Sequence, residues 1–168
     1  MQVGVFASSL SLCNGSHIDN APAIDSEKNI INYRSMAHVA GITVARAPVR
    51  RACFSSGFGS RHDRVGLHKG IDLSTGHPHA VYAASYGVIE EIRTMPRYGN
   101  MILIKHRNGV KTRYAHLSTF DSRVHQGHEV RQGDVIGMTG SSGNANAVVL
   151  HYEIIVNGVP QNPMTIGD

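Results

Sequence analysis

The dipeptide Asn108-Gly109, set between Ile102-Leu103-Ile104 and Thr112-Arg113-Tyr114, constrains the fold of this chain more than any other stretch. A two-residue type I′ turn needs positive φ at both central positions, and Asn followed by Gly reaches them with least strain. Alternating apolar residues on either side then specify an antiparallel hairpin. The same texture recurs at Ile71 to Leu73, Val81 to Ala83, Val88 to Arg93, Met101 to His106, Lys111 to His116, Val135 to Met138 and Leu150 to Val156. Gln132-Gly133-Asp134 and Asn157-Gly158 mark further turns between these runs. With 18 glycines and no tryptophan, the composition suits short strands and tight turns rather than long helices. The expected fold class is all-β, an antiparallel β-sandwich or half-barrel of roughly 110 residues at the C-terminal end.

The 168 residues, 41% hydrophobic and 17% charged, fit one globular domain with a tail. Residues 1–44 show no sustained period and read as an N-terminal extension with one short helix around Glu27 to Ala40. Residues 45–168 form the domain. Val3 to Cys13 is apolar but lacks the basic start and small-residue cleavage site of a secretion signal, and Leu12 stands where a lipoprotein box needs a small residue. No apolar run reaches the ~18 residues of a transmembrane helix, so no transmembrane segment is expected. Cys13 and Cys53 are the only cysteines, compatible with one disulfide or two free thiols and too few for a Cys-only zinc site. A net charge of +4 favours anionic partners, yet no basic block or aromatic-interleaved basic stripe is present, so nucleic acid is not an expected partner.

Eleven histidines point toward a metal, because imidazole is the commonest protein ligand for transition metals. His68-Lys69-Gly70-Ile71-Asp72 places a histidine and a carboxylate four apart. In extended chain such a pair lies about 13 Å apart, so chelation requires a bend, and Gly70 is the residue that permits it. A further donor comes from Leu150-His151-Tyr152-Glu153, where alternation puts His151 and Glu153 on one face and Tyr152 and Ile154 on the other. His68, Asp72 and His151 supply three ligands and leave one of zinc's four positions open, the layout of a catalytic rather than a structural site. Glu153 reads as a neighbour of the ligands rather than a fourth one. His77, His79, His106, His125 and His128 fall in expected loops or strand ends and read as solvated surface imidazoles. The Gln132-Gly133-Asp134-Val135-Ile136 turn also suggests a lipoyl-like carrier, a reading that fails because no lysine sits at an exposed hairpin tip.

A family resemblance rests on ordered blocks. Ser55 to Arg61, His68 to Asp72, Tyr98-Gly99-Asn100, Arg113 to Leu117, Val130 to Gly137, Gly140 to Asn144, Leu150 to Glu153, then Val156-Asn157-Gly158 and Asn162-Pro163 occur in the order seen in lysostaphin/LytM-type zinc peptidoglycan endopeptidases. The chain resembles that family over residues 52–164. The resemblance implies a LytM-like fold with a duplicated hybrid motif, Zn2+ bound by His68, Asp72 and His151, His116 as a catalytic histidine stabilising the developing oxyanion, peptidoglycan peptide as substrate, and a cell-envelope or secreted location. One departure stands out. The family's last motif reads His-x-His, with the first histidine catalytic, and here the triplet is Val149-Leu150-His151. The spacing from Gly143 to His151 is that of the family, so the histidine is replaced rather than displaced. Asn146-Ala147-Val148 also stands where the family has Thr-Gly-Pro. Two functions follow as expectations: a zinc-dependent endopeptidase impaired by Val149, or a catalytically inactive zinc-binding module that binds cell wall or regulates a hydrolase. Retention of all three ligands favours the first. His62, in Arg61-His62-Asp63-Arg64, is a further candidate to stand in for the lost histidine.

Overall fold

The structure is a computed structural model that describes residues 5–15, 17–60 and 66–167. Every regular element among them is a strand. In chain order these are β1 (Ser11–Leu12), β2 (Met36–Val39), β3 (Ile42–Ala45), β4 (Cys53–Ser56), β5 (Gly59–Ser60), β6 (Leu67–His68), β7 (Ile71–Ser74) and β8 (Ala80–Tyr82). They are followed by β9 (Gly87–Met95), β10 (Gly99–Lys105), β11 (Val110–Leu117), β12 (Thr119–Phe120), β13 (Glu129–Val130), β14 (Val135–Met138), β15 (Val149–Val156) and β16 (Val159–Gln161). The large sheet runs β1-β4-β7-β15-β11-β10-β9-β13, with β16 also on β15, and β12-β14-β8 form a second, small sheet. All pairings are antiparallel except that of β1 with β4. The all-β expectation holds, and each strand run read from the sequence falls on a strand. Asn108 (φ 59) and Gly109 (φ 77) make the β10–β11 turn in the left-handed region, as the hairpin required.

Alternation divides the large sheet into two faces. Leu73, Leu150, Tyr152, Ile154, Tyr114, Ile102 and Ile104 point inward and join Phe54, Val81 and Ile136 in the main core. On the outer face Met101, Leu103, Ala115 and Ile155 form a small satellite cluster. His151 and Glu153 occupy the outer face of β15, beside that cluster, so the strand that fills the core with one face offers polar groups with the other.

The helix expected around Glu27 to Ala40 is absent. Met36–Val39 instead pairs with Ile42–Ala45 through a turn at Ala40-Gly41. Ala37 and Val39 are buried while His38 is exposed, a period of two that a helical reading of this stretch overlooks. The segment before it packs on the domain. Leu10 is in the main core, β1 adds to the edge of β4, and Cys13 and Cys53 form a disulfide, which decides between the two cysteine states open from sequence. No described helix is long and apolar enough to cross a membrane.

Candidate metal centre and its cleft

Three strands bring the site together. In the β7–β15 register Asp72 lies opposite His151, so their outward side chains meet across one sheet rung. The chain bends at Gly70 between β6 and β7, which returns His68 to the same point. Gly70 is required there for a second reason, because a Cβ would lie 2.1 Å from the Tyr152 carbonyl oxygen. His68 Nε2 is 3.2 Å from Asp72 Oδ1 and 3.3 Å from His151 Nδ1, and His151 Nδ1 is 2.8 Å from Asp72 Oδ1. All three donor atoms fall within 4.8 Å of one another, converging on one point.

The outer nitrogen of each imidazole is already engaged. His68 Nδ1 donates to the Gly57 carbonyl at 2.6 Å, and His151 Nε2 donates to Glu153 Oε1 at 3.0 Å. Those bonds fix each tautomer with its inner lone pair aimed at the cluster, the support metal-binding histidines usually have. The residues therefore fit a zinc ion: two neutral imidazoles and one carboxylate on one side, with space on the other. Glu153, which is fully buried, also accepts from Tyr98 Oη at 2.6 Å and from Arg113 Nη1 at 2.7 Å. The Arg113 guanidinium lies 4.9 Å from the Tyr98 ring centroid. Sequence reading gave Arg113 no role, although the alternation that sends Glu153 outward, with the β11–β15 register that sets Arg113 opposite it, is the signal that finds it.

The electrostatics follow from this pairing. Burial pushes the Asp72 carboxyl up, but hydrogen bonds and positive charge from His151 and His68 outweigh it and hold the group well below the usual carboxylate range. Burial lowers His151, yet Asp72 and Glu153 on its two sides raise it to about 9 in the metal-free chain. A metal must displace that proton to bind. Burial and the Glu153 carboxylate push the Tyr98 hydroxyl up to about 12, so it stays a donor.

His116 reaches the cleft through a break in alternation. Asn100 and Ile102 of β10 pair with Leu117 and Tyr114 of β11, which leaves one extra residue on β11 and forms a bulge. Within it His116 has φ 63, a conformation that strains a non-glycine residue and is often kept at functional sites. Its Nδ1 donates to the Ser142 carbonyl at 2.9 Å, and its ring centroid is 6.0 Å from that of His151. Burial lowers its basicity, with the positive field of His151 adding to the effect and the Ser142 carbonyl opposing it. With Nδ1 donating to Ser142, Nε2 is the ring nitrogen left to accept a proton. The surrounding groove of about 480 Å³ is lined by Lys69, Arg97, Tyr98, Asn144, Val149 and His116 as well as the three donors. Val149 lies opposite Ser74 on the same face as His151, where sequence alternation put it, and presents only methyl groups.

One other histidine departs from its sequence reading. His106 is buried rather than solvated: Nδ1 bonds the Tyr86 carbonyl and Nε2 bonds Thr112 Oγ1, each at 2.7 Å. It follows Lys105 at the end of β10, where its N–H donates to the Val110 carbonyl. His62 lies outside the described residues.

An all-β domain whose groove is lined by a His/Asp/His cluster able to hold one metal ion is the arrangement to set beside known proteins. The chain belongs to peptidase family M23, whose model matches residues 66–163. It is 40% identical over 101 residues to the peptidoglycan DD-endopeptidase ShyA of Vibrio cholerae, covering 60% of this chain and 23% of that protein. Among solved structures it resembles a zinc-containing peptidase from Vibrio cholerae, with TM-score 0.67 and 30% identity over 79% of this chain and 40% of the other. It also resembles the catalytic domain of the antimicrobial peptidase lysostaphin from Staphylococcus simulans, with TM-score 0.61 and 30% identity over 67% of this chain and 90% of that domain. The family resemblance read from the ordered blocks is therefore correct. The match spans less than a third of the length of these curated relatives, 23% of ShyA and 29% of the DD-endopeptidase ShyC of the same organism.

Proposed function

We propose that this chain is a zinc-dependent peptidoglycan endopeptidase that cleaves cell-wall peptide cross-links, with turnover lowered by Val149. The observation that carries the reading is the convergence of His68 Nε2, Asp72 and His151 Nδ1 on one point, with both imidazoles anchored from behind. When bound there, zinc acidifies a water in its open position and polarises the scissile carbonyl. His116, committed through Nδ1 to Ser142, offers a lone pair at Nε2 and so suits proton acceptance. That differs from the oxyanion-stabilising role the resemblance implied, which needs a donor. Tyr98 and Arg113 hold Glu153, and Glu153 orients His151. Envelope location is supported by the Cys13–Cys53 disulfide, since such bonds persist in oxidising compartments.

A second reading is favoured by one residue. Val149 lines the cleft where an imidazole would assist catalysis, so the chain could serve as an inert zinc-binding module that docks on cell wall or regulates a hydrolase. Metal analysis of purified protein beside a turbidity assay on sacculi separates the two. One zinc per chain with clearing of sacculi supports the enzyme. One zinc with retention on sacculi but no clearing, at salt high enough to screen the net charge of +4, supports the module. Absence of zinc and of clearing overturns both.

A further inference from the structure

The backbone of Gly57 has two partners, one on each of the peptide groups that flank its Cα. Its carbonyl accepts from His68 Nδ1 at 2.6 Å, and its N–H donates to the Asp19 carbonyl at 2.8 Å. The segment that ends in Asp19-Asn20 belongs to the N-terminal extension, outside the residues matched to the family. One residue further on, Asn20 takes φ 52, a left-handed conformation that Asn tolerates better than most residues. In that conformation its carbonyl is seated against Gly57: a Cβ added to Gly57 would lie 2.2 Å from the Asn20 oxygen. Its side-chain Nδ2 donates to the Ser60 carbonyl at 2.7 Å. Ser60 belongs to β5, whose Gly59 pairs with His68 on β6.

Asp19 and Asn20 thus grip both ends of the segment 57–60, and that segment contacts His68 twice, through the Gly57 carbonyl and the β5–β6 rung. The grip is itself anchored a few residues upstream by the β1–β4 pairing and the Cys13–Cys53 disulfide. None of the described residues lining the groove comes from the extension, so this contact supports the cleft from behind rather than lining it.

We infer that Asp19-Asn20 of the N-terminal extension is a positioning element of the metal centre, which sets the ring of His68 through the backbone of segment 57–60. This rests on the reading of His68, Asp72 and His151 as zinc ligands. Backbone groups behind a metal ligand fix its orientation and basicity, and losing such support typically weakens metal affinity by about 10- to 100-fold. The Asn20 amide bonds the Ser60 carbonyl and reaches His68 only through the backbone of segment 57–60, so its share falls at or below the low end of that range.

The test uses the full oxidised chain in four forms: wild type, Asn20→Gly, Gly57→Ala and His151→Ala. Asn20→Gly keeps the left-handed backbone and deletes only the amide that holds Ser60; Gly57→Ala drives a methyl into the Asn20 carbonyl. Zinc affinity is measured by chelator competition, and the ring nitrogens of His68 and His151 are followed by long-range proton–nitrogen NMR in the zinc-loaded chain. The expected result is a dissociation constant raised about threefold in Asn20→Gly and about tenfold in Gly57→Ala, with the His68 nitrogens shifted and those of His151 unmoved. If Gly57→Ala does not fold, Asn20→Gly, a change at an exposed turn, still decides. Wild-type affinity and unshifted His68 signals in Asn20→Gly would overturn the inference while leaving the zinc reading in place. Equal shifts at both histidines would also overturn it, since that is loosening of the domain and not positioning. Failure of the wild type to bind zinc, or binding by His151→Ala as tight as wild type, would overturn the zinc reading and this inference together.

Discussion

His151 within β15 and His106 just past the end of β10 are both buried histidines, and their surroundings give them opposite characters. His106 has the Tyr86 carbonyl on one nitrogen and Thr112 Oγ1 on the other. Thr112 Oγ1 continues to Tyr114 Oη, which accepts the Ala84 N–H. Every group in that chain is neutral, and burial lowers the basicity of the ring. His151 has a carboxylate on each nitrogen, and these reverse the effect of burial. A neutral network satisfies polar groups that the core would otherwise leave unpaired. A buried cluster of two acids and two imidazoles is a costly way to satisfy anything, and such clusters concentrate where a metal or a reaction uses them.

The largest effect that can break this comparison is loss of the metal. His68→Ala combined with His151→Ala should reduce bound zinc from one per chain to background in elemental analysis, whereas His106→Ala should keep it at one per chain. Full occupancy in the double variant would remove the functional side of the contrast. Zinc should also raise the midpoint of thermal unfolding in wild type and fail to do so in the double variant.

Next comes the carboxylate behind His151. Glu153→Gln keeps the shape and one acceptor for Arg113 or Tyr98, but removes the charge that makes His151 a stronger donor to metal. Zinc affinity should fall by about 10- to 100-fold, as for other supporting groups of ligating histidines, and chelator competition reads it. An unchanged affinity would mean that Glu153 serves packing on β15 alone.

Smaller again is the effect of refilling position 149. Val149 and His151 share one face of β15 with Asp72 and Ser74 opposite, so an imidazole at 149 enters the cleft. Val149→His should raise sacculus hydrolysis by at least about tenfold, a conservative share of what acid–base catalysis contributes. His116→Ala in that background should abolish the gain, because one imidazole then takes a proton and the other donates to developing charge. A folded, zinc-loaded Val149→His chain that stays inert would assign the cleft to binding.

How much of this was legible in the sequence depended on distance along the chain. The β10–β11 hairpin, the outward face of β15 and the bend at Gly70 follow from local rules of turn chemistry and alternation, and those rules held. Val149 could be placed in the cleft because it lies two residues from His151 on one strand. His106 was misread because it directly follows an exposed lysine at a strand end, and only its bonds to the Tyr86 carbonyl and Thr112 show that it is inside. His116 escaped alternation through a one-residue bulge with no local signature. β2 was read as the end of a helix because Met36-Ala37-His38 carries little β-branching and only the partner strand reveals its period. The Gly57 carbonyl behind His68 is backbone, and no side-chain pattern can announce it.

The finest distinction between the two histidines is their response to pH, and His106 gives it without involving the metal. Its folded form holds a proton less well than an ordinary imidazole, whose value lies near 6.5. The unfolded chain therefore takes up a proton at this position before the folded chain does. As pH falls below about 6.5, unfolding becomes coupled to proton uptake, so the stability contributed by neutral His106 is present above that value and is lost below it. The slope for one group cannot exceed about 1.4 kcal/mol per pH unit. His106→Gln can keep one hydrogen bond to the Tyr86 carbonyl or Thr112 without titrating, so its denaturation midpoint should be lower than wild type at pH 8 through imperfect packing, and should fall less steeply between pH 7 and 5. The difference between the two curves isolates His106 from every other group that titrates in that range. Parallel curves would show that the buried ring accepts a proton as readily as an exposed one, and the contrast with His151 would then rest on geometry alone.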